Sequence, residues 1–311
     1  MAGFSYLQAI GAGFGVIRRK PWAVLAWAGA YLVLAALPLL LIISQVLPDA
    51  VATYRDAAHA LAHGAAPDPA KAMALSARFS GLQPLILLIQ LVAYTILIGA
   101  VFRAVLEPQA SRWGYLRVGR RELWLGLALV VFVLVAVVLA FTLLVVLGVA
   151  GAVGVTAAHN GHPPGPWAYP LLKLIQVVSV LTIFWAMMRL SMALPMSFAE
   201  NRFVFYEAWG LTRRQNVKLF LVGLTLFAVL VASDLAGTMA LQMLLLQRLP
   251  HATAWREALH GPPAEVARRL TPIMAGVTVV GSVLGMFLFA VLIAPFAKIY
   301  RQLTDAPKPA A

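Results

Sequence analysis

Six long apolar runs, separated by shorter polar segments, dominate the hydropathy pattern of this 311-residue chain. A helix needs about 20 mainly apolar residues to cross the hydrocarbon core of a membrane. Every run reaches that length, and together they are Trp22–Val46, Leu82–Leu106, Leu123–Val155, Leu171–Ala193, Val217–Leu246 and Ile273–Ala297. The pattern therefore predicts an all-α membrane protein with six transmembrane helices.

Composition supports this prediction and excludes an ordinary soluble domain. The chain is 62% hydrophobic and 11% charged, whereas a soluble domain is about 45–50% apolar and about 25% charged. A net charge of +13 would suggest nucleic-acid binding in a soluble protein, but here we interpret it as a topology signal and expect no nucleic-acid partner. The absence of cysteine excludes thiolate metal sites and cysteine nucleophiles.

The distribution of basic residues predicts the orientation. If the N-terminus is inside, the inner segments contain 16 of the Lys and Arg residues and the outer segments contain 8. Short cytoplasmic loops are enriched in these residues. We therefore expect a multi-pass protein of the bacterial inner membrane with both termini in the cytoplasm.

Prolines suggest that the spans form three tandem helix pairs. Each even-numbered span opens near one proline and has a second proline near its inner end, with separations of 24, 25 and 23 residues. The pairs are Pro84 and Pro108, Pro170 and Pro195, and Pro272 and Pro295. Thr271-Pro272 has the pattern of a helix N-cap followed by the first helical residue. The predicted organisation is one membrane domain, 1–298, with repeat units 1–107, 108–195 and 196–298, followed by a cytoplasmic tail, 299–311. The alternative is that Trp, Arg and Pro simply flank membrane helices in general.

Short amphipathic segments precede the odd-numbered spans. In the first segment Phe4, Leu7, Ile10, Phe14 and Ile17 recur every three to four residues. Such helices lie in the membrane interface, where basic side chains meet anionic headgroups. We expect membrane lipids as partners of six basic residues on the cytoplasmic face, namely Arg18, Arg19, Arg120, Arg121, Arg213 and Arg214. Anchoring is the favoured role, and specific lipid recognition is the alternative.

One motif resembles a known family. A span ends in Arg189 and Pro195, and the next span is preceded by a helix containing Trp209, Leu211, Thr212 and Arg213. This arrangement resembles the bacterial six-span membrane domain found attached to some glycerophosphodiester phosphodiesterases, and its stand-alone relatives. The hydrolytic activity of those enzymes belongs to a separate soluble barrel, and only 14 residues follow Ala297. The resemblance therefore implies a membrane domain without that catalysis.

Asp234 is the single acidic residue deep inside a predicted span. Three polar residues could surround it, namely Gln90 and Gln176 in other spans and Gln242 in the same span. One interpretation is a cation-linked solute site. The other is polar contact between helices, worth about 0.6–2 kcal/mol for each hydrogen bond. We favour the second because no further acid and no basic partner is expected at similar depth.

The remaining motifs do not predict chemistry. All six histidines fall in outer segments, but there is no HExxH motif and no loop with three clear metal ligands. We therefore predict no catalytic, metal or cofactor site. Gly281 and Gly285 form a GxxxG motif, which suits close helix packing within the chain and would also suit a homo-oligomer.

These observations together predict a non-enzymatic integral membrane protein. The favoured role is a scaffold or accessory subunit in envelope or lipid homeostasis, with its protein partner unknown. The alternative is a transporter of small solutes or lipids, with an intramembrane site around Asp234. A lipid-acting enzyme ranks third, because no nucleophile–base pair or metal cluster is present in the sequence.

Overall fold

The computed structural model describes residues 4–109, 112–159, 168–213, 215–248 and 261–305. Within these ranges every regular element is a helix, so the predicted all-α class is confirmed. The α-helices of the described ranges, in chain order, are α1 Tyr6–Arg19, α2 Pro21–Tyr31, α3 Leu37–Ala62, α4 Pro69–Leu106, α5 Arg120–His159, α6 Ala168–Leu190, α7 Ala193–Glu200, α8 Glu207–Thr212, α9 Asn216–Arg248 and α10 Pro263–Thr304. A π-helical turn, Leu32–Ala36, joins α2 to α3, and a 3₁₀ turn, Arg112–Tyr115, precedes α5.

Six helical segments of the described chain are long and apolar enough to cross a membrane. They are Pro21–Ala62, Pro69–Leu106, Arg120–Val149, Pro170–Glu200, Asn216–Ala240 and Pro263–Thr304. Each includes most of one predicted apolar run, which confirms the six-span prediction. The protein is therefore a multi-pass membrane protein.

Three of these segments are much longer than a bilayer requires. Pro21–Ala62 and Pro263–Thr304 each contain 42 residues, and Pro69–Leu106 contains 38. At 1.5 Å per residue such helices are about 60 Å long, whereas the hydrocarbon core is about 30 Å thick. Beyond the apolar part, α3 and α4 are joined by the ion pairs Asp56–Lys71 and Asp49–Arg78. The parts of α3 and α4 beyond the apolar runs are therefore held together by ion pairs between exposed side chains.

The start of α4 differs from the sequence prediction. Its predicted first proline, Pro84, lies inside the helix, which begins at Pro69 instead. The side chain of Asp68 accepts a hydrogen bond from the backbone N–H of Ala70 at 2.9 Å and so caps the helix. The cap and the proline that follows it fix the true start well outside the apolar run.

The predicted N-cap at Thr271 is wrong. Thr271 and Pro272 both lie inside α10, and Thr271 Oγ1 donates a hydrogen bond to the Ala267 carbonyl at 2.8 Å. A proline removes one backbone hydrogen bond, and neighbouring hydroxyls and local adjustments in a membrane protein make that loss tolerable. The helix therefore continues through the proline.

Pro38 changes the hydrogen-bond pattern of the first span without ending it. Pro38 is the second residue of α3, which begins directly after the π-helical turn Leu32–Ala36. Because proline cannot donate to the carbonyl four residues earlier, the ladder must change register near this point. The change at Pro38 is therefore a π turn within a continuous span.

The described chain contains two compact units. The first comprises Met1–Ile10, Val118–Thr225 and Phe296–Ala311. Within it α5 packs against α6 and α7, and α8 packs against α6. The N-terminal segment joins this unit through Gln302, whose Nε2 donates to Gln8 Oε1 at 2.7 Å.

The second unit comprises Gly11–Arg117 and Leu226–Pro295. Within it α3 packs against α4, and α2 packs against the 3₁₀ turn. Its core includes the fully buried side chains of Trp27 and Phe102. The repeat of three helix pairs stays a prediction.

Candidate functional site

Arg189 is a buried cation in the last turn of α6. Its side chain is only 4% exposed. Its Nε donates to Thr212 Oγ1 at 3.1 Å, and its Nη2 donates to the Trp209 carbonyl at 2.6 Å. Thr212 Oγ1 in turn donates to the Ala208 carbonyl at 3.0 Å. Arg189 therefore fixes the short helix α8 against the end of α6.

Two indole rings surround the Arg189 guanidinium. Its central carbon lies 4.0 Å from the ring centroid of Trp209 and 5.1 Å from that of Trp185. The two rings contact each other edge to face, with centroids 5.4 Å apart. Cation–π contacts of a desolvated arginine are worth about 2 kcal/mol. Trp209 and Thr212, both in the family-like motif, are thus the residues that bind this arginine.

The other two residues of the motif are less enclosed. Leu211 is half-buried and Arg213 is exposed.

Arg103 occupies a comparable place in the last turn of α4 in the second unit. It is 5% exposed, and its Nη1 donates to the Tyr115 carbonyl at 2.9 Å. Trp27 Nε1 donates to the neighbouring Gly114 carbonyl at 2.6 Å. Both buried arginines therefore hold the backbone of the segment that leads into the next membrane helix.

The turn held by Arg103 has an unusual backbone. Gly114 and Tyr115 both have left-handed φ angles, 64° and 67°, which are costly for a residue such as tyrosine. The Tyr115 hydroxyl donates to the Pro108 carbonyl at 2.9 Å. Burial raises the pKa of the Tyr115 phenol, and the nearby charge of Arg19 opposes that shift in part. These contacts hold the strained turn in place.

Sequence reasoning missed the role of both arginines. The sequence indicates Arg103 only as part of the positive charge of the inner face, and Arg189 as part of that charge and of the family-like motif, without a structural role for either. A signal was present, because each lies at the end of an apolar run and precedes a Trp-Gly pair, Trp113-Gly114 or Trp209-Gly210. From this order one could propose that each arginine hydrogen-bonds to a backbone carbonyl at or just after the tryptophan.

The predicted intramembrane polar site around Asp234 stays a prediction. Asp234 and Gln242 are exposed, whereas Gln90 and Gln176 are half-buried. Asp234 has no hydrogen bond or ion pair with any residue that the structure describes. Its carboxylate therefore lies on the outside of an apolar helix.

The predicted headgroup contacts are mostly at the surface. Arg18, Arg19, Arg120 and Arg213 are exposed, and Arg214 lies outside the described residues. Arg121 is half-buried, with its guanidinium 5.9 Å from the ring centroid of Phe198.

Only part of the apolar stripe predicted for α1 is buried in the structure. Phe4 is buried, Leu7 and Phe14 are exposed, and Ile10 and Ile17 are intermediate. Leu7, Phe14 and Arg18 recur at helical spacing on the exposed side. An apolar face bordered by arginine is the pattern of a helix that lies in a membrane interface.

The glycines of the GxxxG motif are not in close contact with another described helix. A Cβ atom added to Gly281 or to Gly285 would have no atom within 4 Å. A Cβ atom added to Gly13 would instead lie 2.7 Å from the Ala290 carbonyl oxygen and 2.9 Å from the Val291 nitrogen. Close approach of two helices in the second unit therefore depends on Gly13.

The described histidines form a stacked pair on α3 and its C-cap. The rings of His59 and His63 have centroids 4.2 Å apart, and His63 Nδ1 donates to the His59 carbonyl at 2.8 Å. The described residues contain no group of three His, Cys, Asp or Glu side chains arranged to hold a metal. The side chains of the other four histidines, His159, His162, His251 and His260, lie outside the described residues.

The described candidate residues are therefore Arg189 at the C-terminal end of α6 in the first unit, and, in the second unit, Arg103 in the last turn of α4 and the exposed carboxylate of Asp234 on α9. Comparison with models of protein families, with curated proteins and with solved structures gave no match for the chain.

Proposed function

We propose that this protein is a non-enzymatic scaffold or accessory subunit of the bacterial inner membrane, acting in envelope or lipid homeostasis. The observation that supports the proposal is Asp234, an exposed carboxylate on the membrane helix α9. Leu230, Val231 and Leu235 around it are 42–54% exposed, so the carboxylate has an apolar setting.

An acidic side chain at the centre of a membrane helix costs about 2.5–3.5 kcal/mol. Polar groups at such depth are usually satisfied by a partner in another helix. Because no described residue bonds to Asp234, a second polypeptide that offers a polar or basic group would relieve this cost. A solute site would instead enclose the carboxylate within the chain, which is why the scaffold is favoured over the transporter.

The lipid part of the proposal has separate support. Exposed Leu7 and Phe14 share one side of α1 with Arg18, an arrangement that favours anionic lipid surfaces. The motif around Trp209 and Thr212 resembles the membrane domain of glycerophosphodiester phosphodiesterases, whose context is lipid metabolism. We propose anionic headgroups of the cytoplasmic leaflet as its lipid partners.

A photo-cross-linking experiment tests the scaffold. A benzophenone amino acid placed at Leu235, beside Asp234, should give a discrete protein adduct in cells. The adduct should disappear when Asp234 is also changed to leucine, because the polar contact is lost while membrane insertion becomes easier. The same probe at Val138, which is 64% exposed on α5, is the matched control and should react only with lipid.

Two results would contradict the scaffold proposal. One is a lipid adduct alone at both positions. The other is modification of an Asp234→Cys variant by a membrane-impermeant maleimide, which would favour the transporter because its site must be accessible to water. The chain contains no other cysteine, so any labelling would report this position.

The proposed orientation has its own test. Alkaline phosphatase is active only after export, so a fusion after Asp305 should be inactive and a fusion after Gly64 should be active. The excess of Lys and Arg in the inner segments is the physical reason. An active fusion after Asp305 would overturn the proposal that the C-terminus lies in the cytoplasm.

A further inference from the structure

The guanidinium of Arg189 has hydrogen-bond donors that the described chain does not use. A guanidinium carries five N–H groups in its plane and no acceptor. Two of them are bonded, one from Nε to Thr212 and one from Nη2 to the Trp209 carbonyl. The other three, including both on Nη1, have no acceptor among the residues that the structure describes.

The positive charge of Arg189 also lacks a counter-ion in the described ranges. The carboxylates of Glu200 and Glu207 pair with Arg202 instead, and Arg189 is only 4% exposed. Buried charges in proteins are normally paired, because the loss of hydration is otherwise uncompensated. Nη1 is not among the unbonded side-chain atoms that the fold encloses completely. The end of the guanidinium that the protein leaves unbonded is therefore also the end that remains open.

The position of Arg189 along its span corresponds to the membrane surface. The apolar run of α6 ends at Ala193, four residues after Arg189, which is about 6 Å at a rise of 1.5 Å per residue. The rings of Trp185 and Trp209 lie against the guanidinium, and tryptophan is enriched where the hydrocarbon meets the headgroups. Phospholipids have their phosphate groups at this level.

Arg213 adds a second positive charge to the segment that binds Arg189. It directly follows Thr212, which accepts the hydrogen bond from Arg189. Its side chain is exposed and has no ion pair with a residue of the described ranges. Trp209, in the same segment, is 40% exposed. The segment that covers one side of the buried arginine is thus itself at the surface and carries a cation there.

We propose that Arg189 and Arg213 bind one phosphate group at the membrane surface, with Nη1 of Arg189 donating to phosphate oxygens. Arginine suits this ligand because its planar fork presents parallel N–H groups to two oxygens at once. The proposal rests on the lipid part of the proposed function and gives it a defined site, with one phosphate for each chain. The phosphate comes either from a lipid headgroup or from free phosphate.

Retention of lipid by the purified chain tests the site. The full-length protein in detergent is freed of loosely held lipid and titrated with phosphatidylglycerol, while native mass spectrometry counts the lipids on each chain. The natural protein should hold one molecule more tightly than any other. Arg213→Gln, which alters an exposed side chain, should weaken binding of that molecule about tenfold, as expected for the loss of a charged hydrogen bond. Arg189→Lys should weaken it similarly, because lysine keeps the charge but lacks the fork.

Arg202→Gln is the matched control for this titration. It removes the same charge from the same unit, but Arg202 is exposed and paired with two glutamates, so the affinity should stay unchanged. Equal weakening by all three variants would indicate diffuse attraction to a positive surface. An unchanged affinity in both Arg213→Gln and Arg189→Lys would mean that neither arginine binds the phosphate. Either result would overturn the proposal.

Two further measurements identify the ligand and its source. A fatty acid is an anionic lipid without phosphate, and binding as tight as that of phosphatidylglycerol would overturn the preference for phosphate. Inorganic phosphate is then added to the lipid-free protein. Thermal stabilisation that Arg213→Gln abolishes would identify free phosphate as a ligand of the site. Tight binding of phosphatidylglycerol without such stabilisation would identify the lipid headgroup.

These outcomes are distinct from those of the scaffold experiment. The benzophenone at Leu235 reports on Asp234, which belongs to the second unit, so Arg213→Gln should leave its adduct unchanged. Failure of the phosphate site with that adduct intact would leave the scaffold in place. Loss of the adduct with tight phosphatidylglycerol binding would leave the phosphate site in place. If the natural protein retained no phosphatidylglycerol and did not respond to inorganic phosphate, the phosphate site and the lipid part of the proposed function would both be wrong.

Discussion

Replacement of Arg189 with methionine is expected to lower the free energy of unfolding by about 3 kcal/mol or more. The variant loses a charged hydrogen bond to the Trp209 carbonyl, a second to Thr212, and the contacts with two indole rings. Hydrogen bonds to charged groups contribute about 1.5–3 kcal/mol each, and the carbonyl would be left without its donor. Methionine keeps an unbranched apolar stem but has no guanidinium, so the loss reports mainly on that group.

Thermal unfolding in detergent, followed by tryptophan fluorescence, measures this effect. Trp185 and Trp209 contact the arginine, so their emission should change in the folded Arg189→Met variant even before heating. Arg189→Lys should give an intermediate loss, because an ammonium lacks the planar fork that reaches two acceptors and stacks on two rings.

Arg202→Met is the matched control for this prediction. Arg202 is 57% exposed and pairs with Glu200 and Glu207, and the hydrogen bond to Glu200 raises the pKa of its guanidinium. Exposed pairs of this kind contribute about 0–1 kcal/mol. If Arg189→Met and Arg202→Met melted at the same temperature, burial of Arg189 would not have the stabilising role assigned to it.

The number of membrane helices could be predicted from the sequence, but their ends could not. A fixed bilayer thickness makes an apolar run of 20 residues a sufficient signal for a span. Helix ends depend on caps and on contacts outside the lipid, such as Asp68 before α4. Because proline favours the first helical turn, the sequence predicts helix starts near Pro84 and Pro272. In the structure each of these prolines lies in the interior of its helix.

The candidate site was predictable in part. The motif identified Trp209 and Thr212, but composition gave no reason to distinguish Arg189 from the exposed arginines that surround it. The difference arises from tertiary packing, which buries one cation between two tryptophans and leaves Arg213 at the surface. The same limit applies to glycine, since GxxxG spacing does not show which glycine another helix approaches.

Replacement of Gly13 tests directly whether another helix packs closely against this glycine. Replacing Gly13 with alanine is expected to destabilise the protein by about 1–3 kcal/mol, the usual cost of overpacking, and valine should cost more. The added Cβ would lie 2.7 Å from the Ala290 carbonyl oxygen and 2.9 Å from the Val291 nitrogen. Because these are backbone atoms of α10, the conflict cannot be relieved by a side-chain rotation, and the two helices must separate.

Gly11→Ala should change stability in the opposite direction. Gly11 lies in the same helix, but an added Cβ would meet no atom within 4 Å. Alanine favours helix over glycine by about 0.8–1 kcal/mol, so this variant should melt slightly higher than the natural protein. Thermal unfolding of both variants in one detergent gives the comparison. Equal shifts for Gly11→Ala and Gly13→Ala would mean that helix propensity alone decides both, and that α1 does not pack closely on α10 at Gly13.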